Sequence, residues 1–242
     1  MGVSTRPKKG KMVNYQLNAM VKTEEQLREE QKIFVKKCIK LAVKDKRIIE
    51  AFRKIPRHLF VPDEYRSESY LDVPLLIGHG QTISQPSLVA LMIEKLKLKG
   101  GGKVLEIGTG SGFQTAILAK LAKEIYSIET IEDLAKKAKE VLVRFGCDNV
   151  TIIIGDGSKG LPEKQPFDGI IVSAVADSVP QELMDQLKEG GRLVIPVKES
   201  VFGQMLKVGL KRKGVVVFED IEPVTFVPLI EEKELKSNPE GS

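Results

Sequence analysis

An apolar strand that runs straight into a turn with three glycines constrains this chain more than any other feature. Val104-Leu105-Glu106-Ile107 leads into Gly108-Thr109-Gly110-Ser111-Gly112, and a helix-compatible run follows over 114–122. Glycines at such a turn let a ligand approach bare backbone, with the N-terminus of the next helix behind it. The spacing is Gly-x-Gly-x-Gly. The dinucleotide fingerprint, Gly-x-Gly-x-x-Gly, would need its last glycine at Phe113.

From Lys103 onward, strands and helices alternate. Strands are expected over 103–107, 124–129, 150–155, 167–173 and 192–196, and helices over 131–145 and 180–187. Ile152-Ile153-Ile154 and Ile170-Ile171-Val172 read as buried on both faces, as strands of a parallel sheet are. The fold class implied is α/β, with a doubly wound, mostly parallel sheet. Residues 205–211, a turn at Lys213-Gly214, and 215–218 then read as an antiparallel hairpin. A parallel wind closed by an antiparallel pair is the Rossmann-like architecture usual for S-adenosylmethionine-dependent methyltransferases. A dehydrogenase normally continues with another parallel strand.

Ahead of this region, residues 1–22 read as a loose basic arm. Residues 23–97 read as the helical start of a single domain spanning 23–230, and 231–242 as a charged tail. Thr23 and Gln26 form a candidate capping box, followed by a helix whose Leu27, Ile33, Phe34, Ile39, Leu41 and Val43 are expected to face the core. A short helix over 47–54 stops at Pro56. The stretch 56–86 is irregular and proline-punctuated, and long ordered loops are more often functional than not. A helix over 87–96 follows Pro86.

Composition narrows the setting. No apolar run approaches the roughly 18 residues of a membrane span, and the N-terminus has no apolar core of a signal peptide. Cys38 and Cys147 are too few for a disulfide framework or a zinc site, so a reducing cytoplasm and no metal are expected. The net charge of +5 is uneven: the first fifty residues hold 13 Lys+Arg against 6 Asp+Glu, leaving 25 against 27 for the rest. No basic excess surrounds the glycine turn, so no nucleic-acid partner is expected there. A monomer or weak homo-oligomer is expected, and abundant Lys and Glu suit a thermophile.

Ligands bind such sheets at the carboxyl ends of the strands. The first end offers Glu106 and the turn Gly108, Thr109, Gly110, Ser111, Gly112. That combination suits S-adenosylmethionine better than NAD. This ligand has no pyrophosphate to seat on a helix dipole, and its cationic amino group suits a carboxylate. The second end is Glu129, followed by Thr130; a carboxylate there accepts both ribose hydroxyls. The third is Gly155-Asp156-Gly157, where Asp156 accepts from an adenine amino group beside a backbone N–H. The fourth, Ser173-Ala174, faces the transfer cleft. Each acid also has a plain structural reading: Glu106 in an ion pair, Glu129 charging a helix start, Asp156 capping a turn. Their coincidence at three successive strand ends favours the ligand.

One further segment is more specific. Ile77-Gly78-His79-Gly80-Gln81-Thr82-Ile83-Ser84-Gln85-Pro86 resembles the G-x-G-Q-T-I-S-x-P signature of the protein-L-isoaspartate (D-aspartate) O-methyltransferase family. Pro56-Arg57, Phe60-Val61-Pro62, Pro166-Phe167-Asp168, Gly190-Gly191-Arg192-Leu193 and Phe226-Val227-Pro228-Leu229 are similar to the same family, from about Lys46 to Ile230. Leu76 and Ser87 depart from its usual pattern. The resemblance implies methyl transfer from S-adenosylmethionine to the α-carboxyl of L-isoaspartyl residues, and of D-aspartyl residues in some members. That step lets damaged proteins return to normal aspartate through a succinimide. It implies Ser84 as the active-site residue and Thr82 and Ile83 beside the cofactor. Gln81, Ser84, Val227, Pro228 and Leu229 are implied around the peptide.

The chemistry agrees. A carboxylate is already ionised at neutral pH, so the nucleophile needs no general base, and alignment supplies most of the rate. On the residues alone, Ser84 also reads as the N-cap of the helix that follows, and one serine can serve both. Two rival readings are weaker. A methyltransferase for adenine amino groups carries an Asn/Asp-Pro-Pro-Tyr/Phe segment after the fourth strand, where this chain has Ser173-Ala174-Val175-Ala176. An NAD-binding or noncatalytic Rossmann domain fits neither the glycine spacing nor the terminal hairpin.

Overall fold

Thr23 starts the first helix, α1 (Glu24–Phe34), by accepting the Gln26 N–H at 3.2 Å, while the Gln26 side chain accepts the Thr23 N–H at 2.8 Å. The capping box is therefore formed. The computed structural model describes residues 22–200 and 203–230, so the expected basic arm (Lys22 apart) and the charged tail lie outside the described residues. α1 continues through a π-turn, Val35–Ile39, and a last turn, Lys40–Ala42. The π-turn inserts an extra residue and rotates the buried stripe. Leu27, Phe34, Ile39 and Val43 are buried as expected, but Ile33 is 46% and Leu41 84% exposed, against expectation.

Helix α2 (Lys46–Lys54) follows, capped by Asp45. The irregular stretch after it contains two 3-10 turns and a hairpin of β1 (Leu75–Gly78) and β2 (Gln81–Ile83). Helix α3 (Pro86–Lys95) then leads to the sheet. Here β3 (Lys103–Ile107) and β4 (Glu124–Glu129) have their expected bounds. Between them lies α4 (Phe113–Ala119), and after β4 comes α5 (Glu132–Arg144). Then follow β5 (Val150–Ile154), β6 (Phe167–Val172), the short α6 (Gln181–Asp185), β7 (Leu187–Ser200), β8 (Gly203–Arg212) and β9 (Val215–Val224).

The sheet order is β5-β4-β3-β6-β7-β8-β9, with β5 to β7 parallel and β8 and β9 antiparallel. The chain winds outward from β3 through β4 to β5, then crosses back to β6. The crevice between the carboxyl ends of β3 and β6 is the switch point where ligands bind. Ile170, Ile171 and Val172 are fully buried in β6, as expected. Ile152, Ile153 and Ile154 are not: β5 pairs only with β4, and Ile154 is 53% exposed at this sheet edge. β7 is longer than expected because Leu187 pairs with Phe167 of β6 ahead of the expected start, and Val197, Lys198 and Ser200 pair with β8 beyond the expected end.

Side chains alternate across β3, so Val104 faces the core under α2, α3 and α4, while Leu105 and Ile107 face the opposite one. The N-terminal helices thus share one core with the sheet. Phe52 of α2 and Phe60 meet Phe113 edge-on, with ring centroids 5.6 and 5.5 Å apart. Such pairs contribute on the order of 0.5–1.5 kcal/mol each beyond burial. They fix the first residue of α4, directly after the glycine turn.

Candidate functional site

A cavity opens at that switch point. Its floor is the turn Gly108 to Ser111 together with Ser173 and Ala174. Glu129, Thr130, Ile131 and Leu134 form one side, Gln81 to Ser84 the roof, and Val227 to Ile230 the far wall. Five segments distant in sequence therefore converge. The far wall is held by Val175, whose N–H donates to the Val227 carbonyl and whose carbonyl accepts the Leu229 N–H, both at 2.8 Å.

The glycines are required by geometry. Gly108, Gly110 and Gly112 have φ of 89°, 53° and 83°, a region that L side chains rarely adopt. A Cβ at Gly110 would lie 3.4 Å from Ile77 Cδ1, so the β1–β2 hairpin closes over the turn. Gly112 does not line the cavity, and a Cβ there would meet Ala138 Cβ of α5 at 3.2 Å. It lets helix pack on helix.

Glu129 is 7% exposed at the cavity edge. Its Oε2 accepts the Gly110 N–H at 2.7 Å and its Oε1 the Ile131 N–H at 3.0 Å. The carboxylate thereby ties the glycine turn to the start of α5. Each oxygen retains a lone pair for a further donor.

Glu106 stands behind the cavity wall. It shares the face of Val104, is fully buried, and does not line the cavity. Its Oε1 accepts Gln114 Nε2 at 3.0 Å; its Oε2 accepts Thr115 Oγ1 at 2.6 Å and Ser127 Oγ at 2.7 Å. Two of these partners reach the cavity wall: Gln114 also donates to Ser173 Oγ at 2.9 Å, and Ser127 Oγ pairs with Thr109 Oγ1 at 2.6 Å. Burial pushes its pKa from 4.5 up to about 7, against the pull of those three hydrogen bonds, with the Glu129 charge adding to the rise.

That shift has a sign. Unfolded, the carboxyl ionises near 4.5; folded, it holds its proton to about 7. Between these values the folded chain binds more protons, so stability falls as pH rises. The contribution is fully present below the lower value and is lost as pH climbs through the upper one. Glu106→Gln should gain on the parent by about 2–3 kcal/mol between pH 5 and pH 8. Urea midpoints of both proteins at the two pH values check this. Equal pH slopes would mean that Glu106 is ionised in the fold throughout.

Asp156 and Gly157 also stand outside the cavity wall. Asp156 Oδ1 accepts from Ser158 N at 2.8 Å and Ser158 Oγ at 2.7 Å, capping the 3-10 turn Gly157–Lys159. A Cβ at Gly157 would fall 2.2 Å from Ile107 Cγ2, so this glycine lets the loop seat against the end of β3. Gly157 thus lies directly behind Ile107, which does line the cavity.

Ser84 is half-buried, and its hydroxyl bonds to none of the described residues. It is not the helix cap: Gln85 holds that position, and Asp72 Oδ1 accepts the Ser87 N–H at 2.9 Å. Arg57 fixes its backbone instead. The Arg57 guanidinium, 1% exposed, donates to the carbonyls of Ser69 at 2.7 Å, Val73 at 3.1 Å and Ser84 at 3.3 Å. Its Nε has no partner among the described residues. Desolvation lowers its pKa to about 10, which leaves it charged at neutral pH.

Gln81, Thr82, Ile83, Ser84, Gly108, Thr109, Gly110, Ser111, Glu129, Thr130, Val227, Pro228 and Leu229 thus share one cavity. The sequence reading missed Phe113, Gln114, Ile131, Leu134 and Ile230 as lining residues. Apolar side chains at a helix start look like core in a sequence. The one available signal was Ile131, an apolar residue where a capping side chain is usual. Among the described residues there is no cluster of three metal-ligating side chains, and no helix is long and apolar enough to cross a membrane.

Comparison with known proteins follows the same lines. The family model described as protein-L-isoaspartate (D-aspartate) O-methyltransferase matches residues 28–234. A protein-L-isoaspartate O-methyltransferase of Opitutus terrae is 51% identical over 191 residues, covering 79% of this chain and 82% of its own. That of Ignicoccus hospitalis is 50% identical over 194 residues, covering 79% and 92%. A solved protein-L-isoaspartate O-methyltransferase structure superposes with a TM-score of 0.74 at 30% identity, over 88% of this chain and 69% of that one. A Plasmodium falciparum structure with the same family designation, in complex with S-adenosyl-L-homocysteine, gives 0.72 at 27% identity, over 86% and 99%.

Proposed function

Since this chain belongs to the protein-L-isoaspartate (D-aspartate) O-methyltransferase family, we propose a specific division of labour among its residues. The chain is an S-adenosylmethionine-dependent enzyme that methylates the free α-carboxyl of L-isoaspartyl residues in damaged proteins. The cavity suits that cofactor. The turn at Gly108 and Gly110 offers bare backbone, Glu129 keeps lone pairs free, and Ile131 and Leu134 offer an apolar wall beside it. Bound S-adenosylmethionine supplies a methyl on a sulfonium, so the substrate carboxylate oxygen gains the methyl as the carbon–sulfur pair leaves with sulfur.

In this reading Glu129 accepts the ribose hydroxyls, Thr109 to Ser111 cradle the methionine portion, and Ile131 and Leu134 cover the base. Ser84 donates a hydrogen bond that orients the ionised carboxylate. Val227, Pro228 and Leu229 flank the peptide. No residue has to remove a proton, which accords with a cavity wall that contains no histidine. The observation that carries the reading is Ser84: a half-buried residue whose hydroxyl has no partner among the described residues, where the cofactor cavity meets a second groove. Residues 23–230 act as one catalytic domain. We further infer a cytoplasmic enzyme, from its unpaired Cys38 and Cys147. It takes no nucleic-acid partner, is monomeric or weakly oligomeric, and has a Lys- and Glu-rich composition suited to heat. Acceptance of D-aspartyl residues belongs to the same proposal.

Transfer of labelled methyl to an isoaspartyl peptide, with its normal aspartyl twin as control, tests the reading. Labelling of both peptides alike, or of neither, would sink it. Glu129→Ala should raise the dissociation constant for S-adenosylhomocysteine by about 10- to 100-fold, from loss of charge-assisted hydrogen bonds worth about 1.5–3 kcal/mol. Turnover at saturating cofactor should change less. An unchanged constant in calorimetric titration removes Glu129 from the site.

A further inference from the structure

The cofactor cavity is continuous with a second groove of about 640 Å³. The two meet at Ser84, and also share Thr82, Ser173 and Val227. Away from Ser84 the groove has one apolar wall from Ala42, Pro74, Leu88 and Leu91. The opposite wall is the stretch from Glu222 to Phe226, at the end of β9.

Among the described residues, Glu222 is the only charged one lining this groove. It is exposed and has no ion pair among the described residues. The nearby cation is already engaged. Leu206 of β8 stands opposite Glu222 in register, and the next residue, Lys207, is held by Glu199 at 2.5 Å and Asp220 at 2.7 Å. Among the described residues a carboxylate is therefore left unneutralised on the rim of a trough with no other charged lining, which leads straight from the proposed carboxylate site.

We propose that this groove holds the peptide chain on one side of the isoaspartyl residue, and that Glu222 selects substrates with a lysine or arginine there. The inference rests on the carboxylate site at Ser84 described above. A flanking cation would lay its aliphatic stem along the apolar wall and carry its charge to the carboxylate. A flanking acid would be repelled. An exposed pair of this kind is weak and salt-screened, and its effect falls on substrate affinity, not on the aligned reaction.

The test uses the full chain and isoaspartyl peptides carrying Lys, Ala or Glu at each flanking position in turn. Labelled methyl transfer is measured for the parent, Glu222→Gln and Glu222→Lys. The ratio of kcat/KM between Lys and Glu peptides should be roughly 5- to 10-fold in the parent at one or two positions on one side. The ratio should lie in KM, fall in high salt, collapse towards one in Glu222→Gln and invert in Glu222→Lys. Methylation of all peptides with a flat ratio, or a ratio that persists in Glu222→Gln, overturns the role of Glu222 while leaving the carboxylate site standing. No methylation of any isoaspartyl peptide overturns the carboxylate site, and this inference with it.

Discussion

Ser84→Asp is expected to fold as the parent does and to lose nearly all methyl transfer to isoaspartyl peptide. The Ser84 hydroxyl has no partner among the described residues, and the cap of α3 is supplied from elsewhere by Asp72. Its side chain therefore has little structural duty. Ser84→Ala should shift stability by less than about 0.5 kcal/mol, while turnover falls for want of the orienting hydrogen bond. Aspartate adds a second effect. It sets a negative charge within contact distance of a negative nucleophile. Two like charges about 4 Å apart repel by about 4 kcal/mol at the effective dielectric of a protein surface, or roughly a thousandfold in rate. Initial rates with labelled methyl donor, alongside urea midpoints, separate the two properties. An aspartate variant with near-normal turnover would show that backbone groups align the carboxylate without Ser84.

Arg57→Met should be the most damaging single substitution to the fold near the site. The guanidinium satisfies three main-chain carbonyls, of Ser69, Val73 and Ser84, in a place almost closed to water. Methionine fills the volume and donates nothing. Leaving those carbonyls unsatisfied costs about 1–3 kcal/mol for each that water cannot reach, so a loss of about 3–5 kcal/mol is expected. Arg57→Lys keeps the charge but not the planar fork, and one ammonium on a different stem does not reproduce the three bonds. That variant should fold, with a lowered urea midpoint and a turnover reduced at least tenfold, because the Ser84 backbone loses its anchor. An unchanged midpoint in Arg57→Met would mean that the loop from Ser69 to Ser84 is held by other contacts.

The strands around the switch point were legible because their signals are local. Residues 103–107 and 124–129 are short apolar runs bounded by turn residues, and they pair in parallel along their whole length. The ends of β7 were not legible: Lys188 to Gly191 and Lys198 to Ser200 look like loop, and the strand is extended only by pairing, of Leu187 with β6 at one end and of Lys198 and Ser200 with β8 at the other. The π-turn after Phe34 leaves no mark in the sequence, yet it decides that Ile39 is buried and Leu41 exposed. Alternation along β3 carried the clue to Glu106, which had to share the face of Val104 and turn away from the strand end. The acidic character of that residue pointed to a ligand; its burial under α4 makes it the anchor of the Gln114, Ser127 and Thr115 network behind the cavity wall. Arg57 was invisible as a structural residue because arginine in a sequence reads as surface.

The far wall of the cavity has a consequence for truncation. The seven-stranded sheet is complete at Val224, whereas the segment that bridges to Val175 begins only at Val227. A stop codon just after Val224 therefore keeps every strand and the glycine turn but leaves the cleft open on one side, so that a shortened chain carries the whole scaffold and lacks repair capacity.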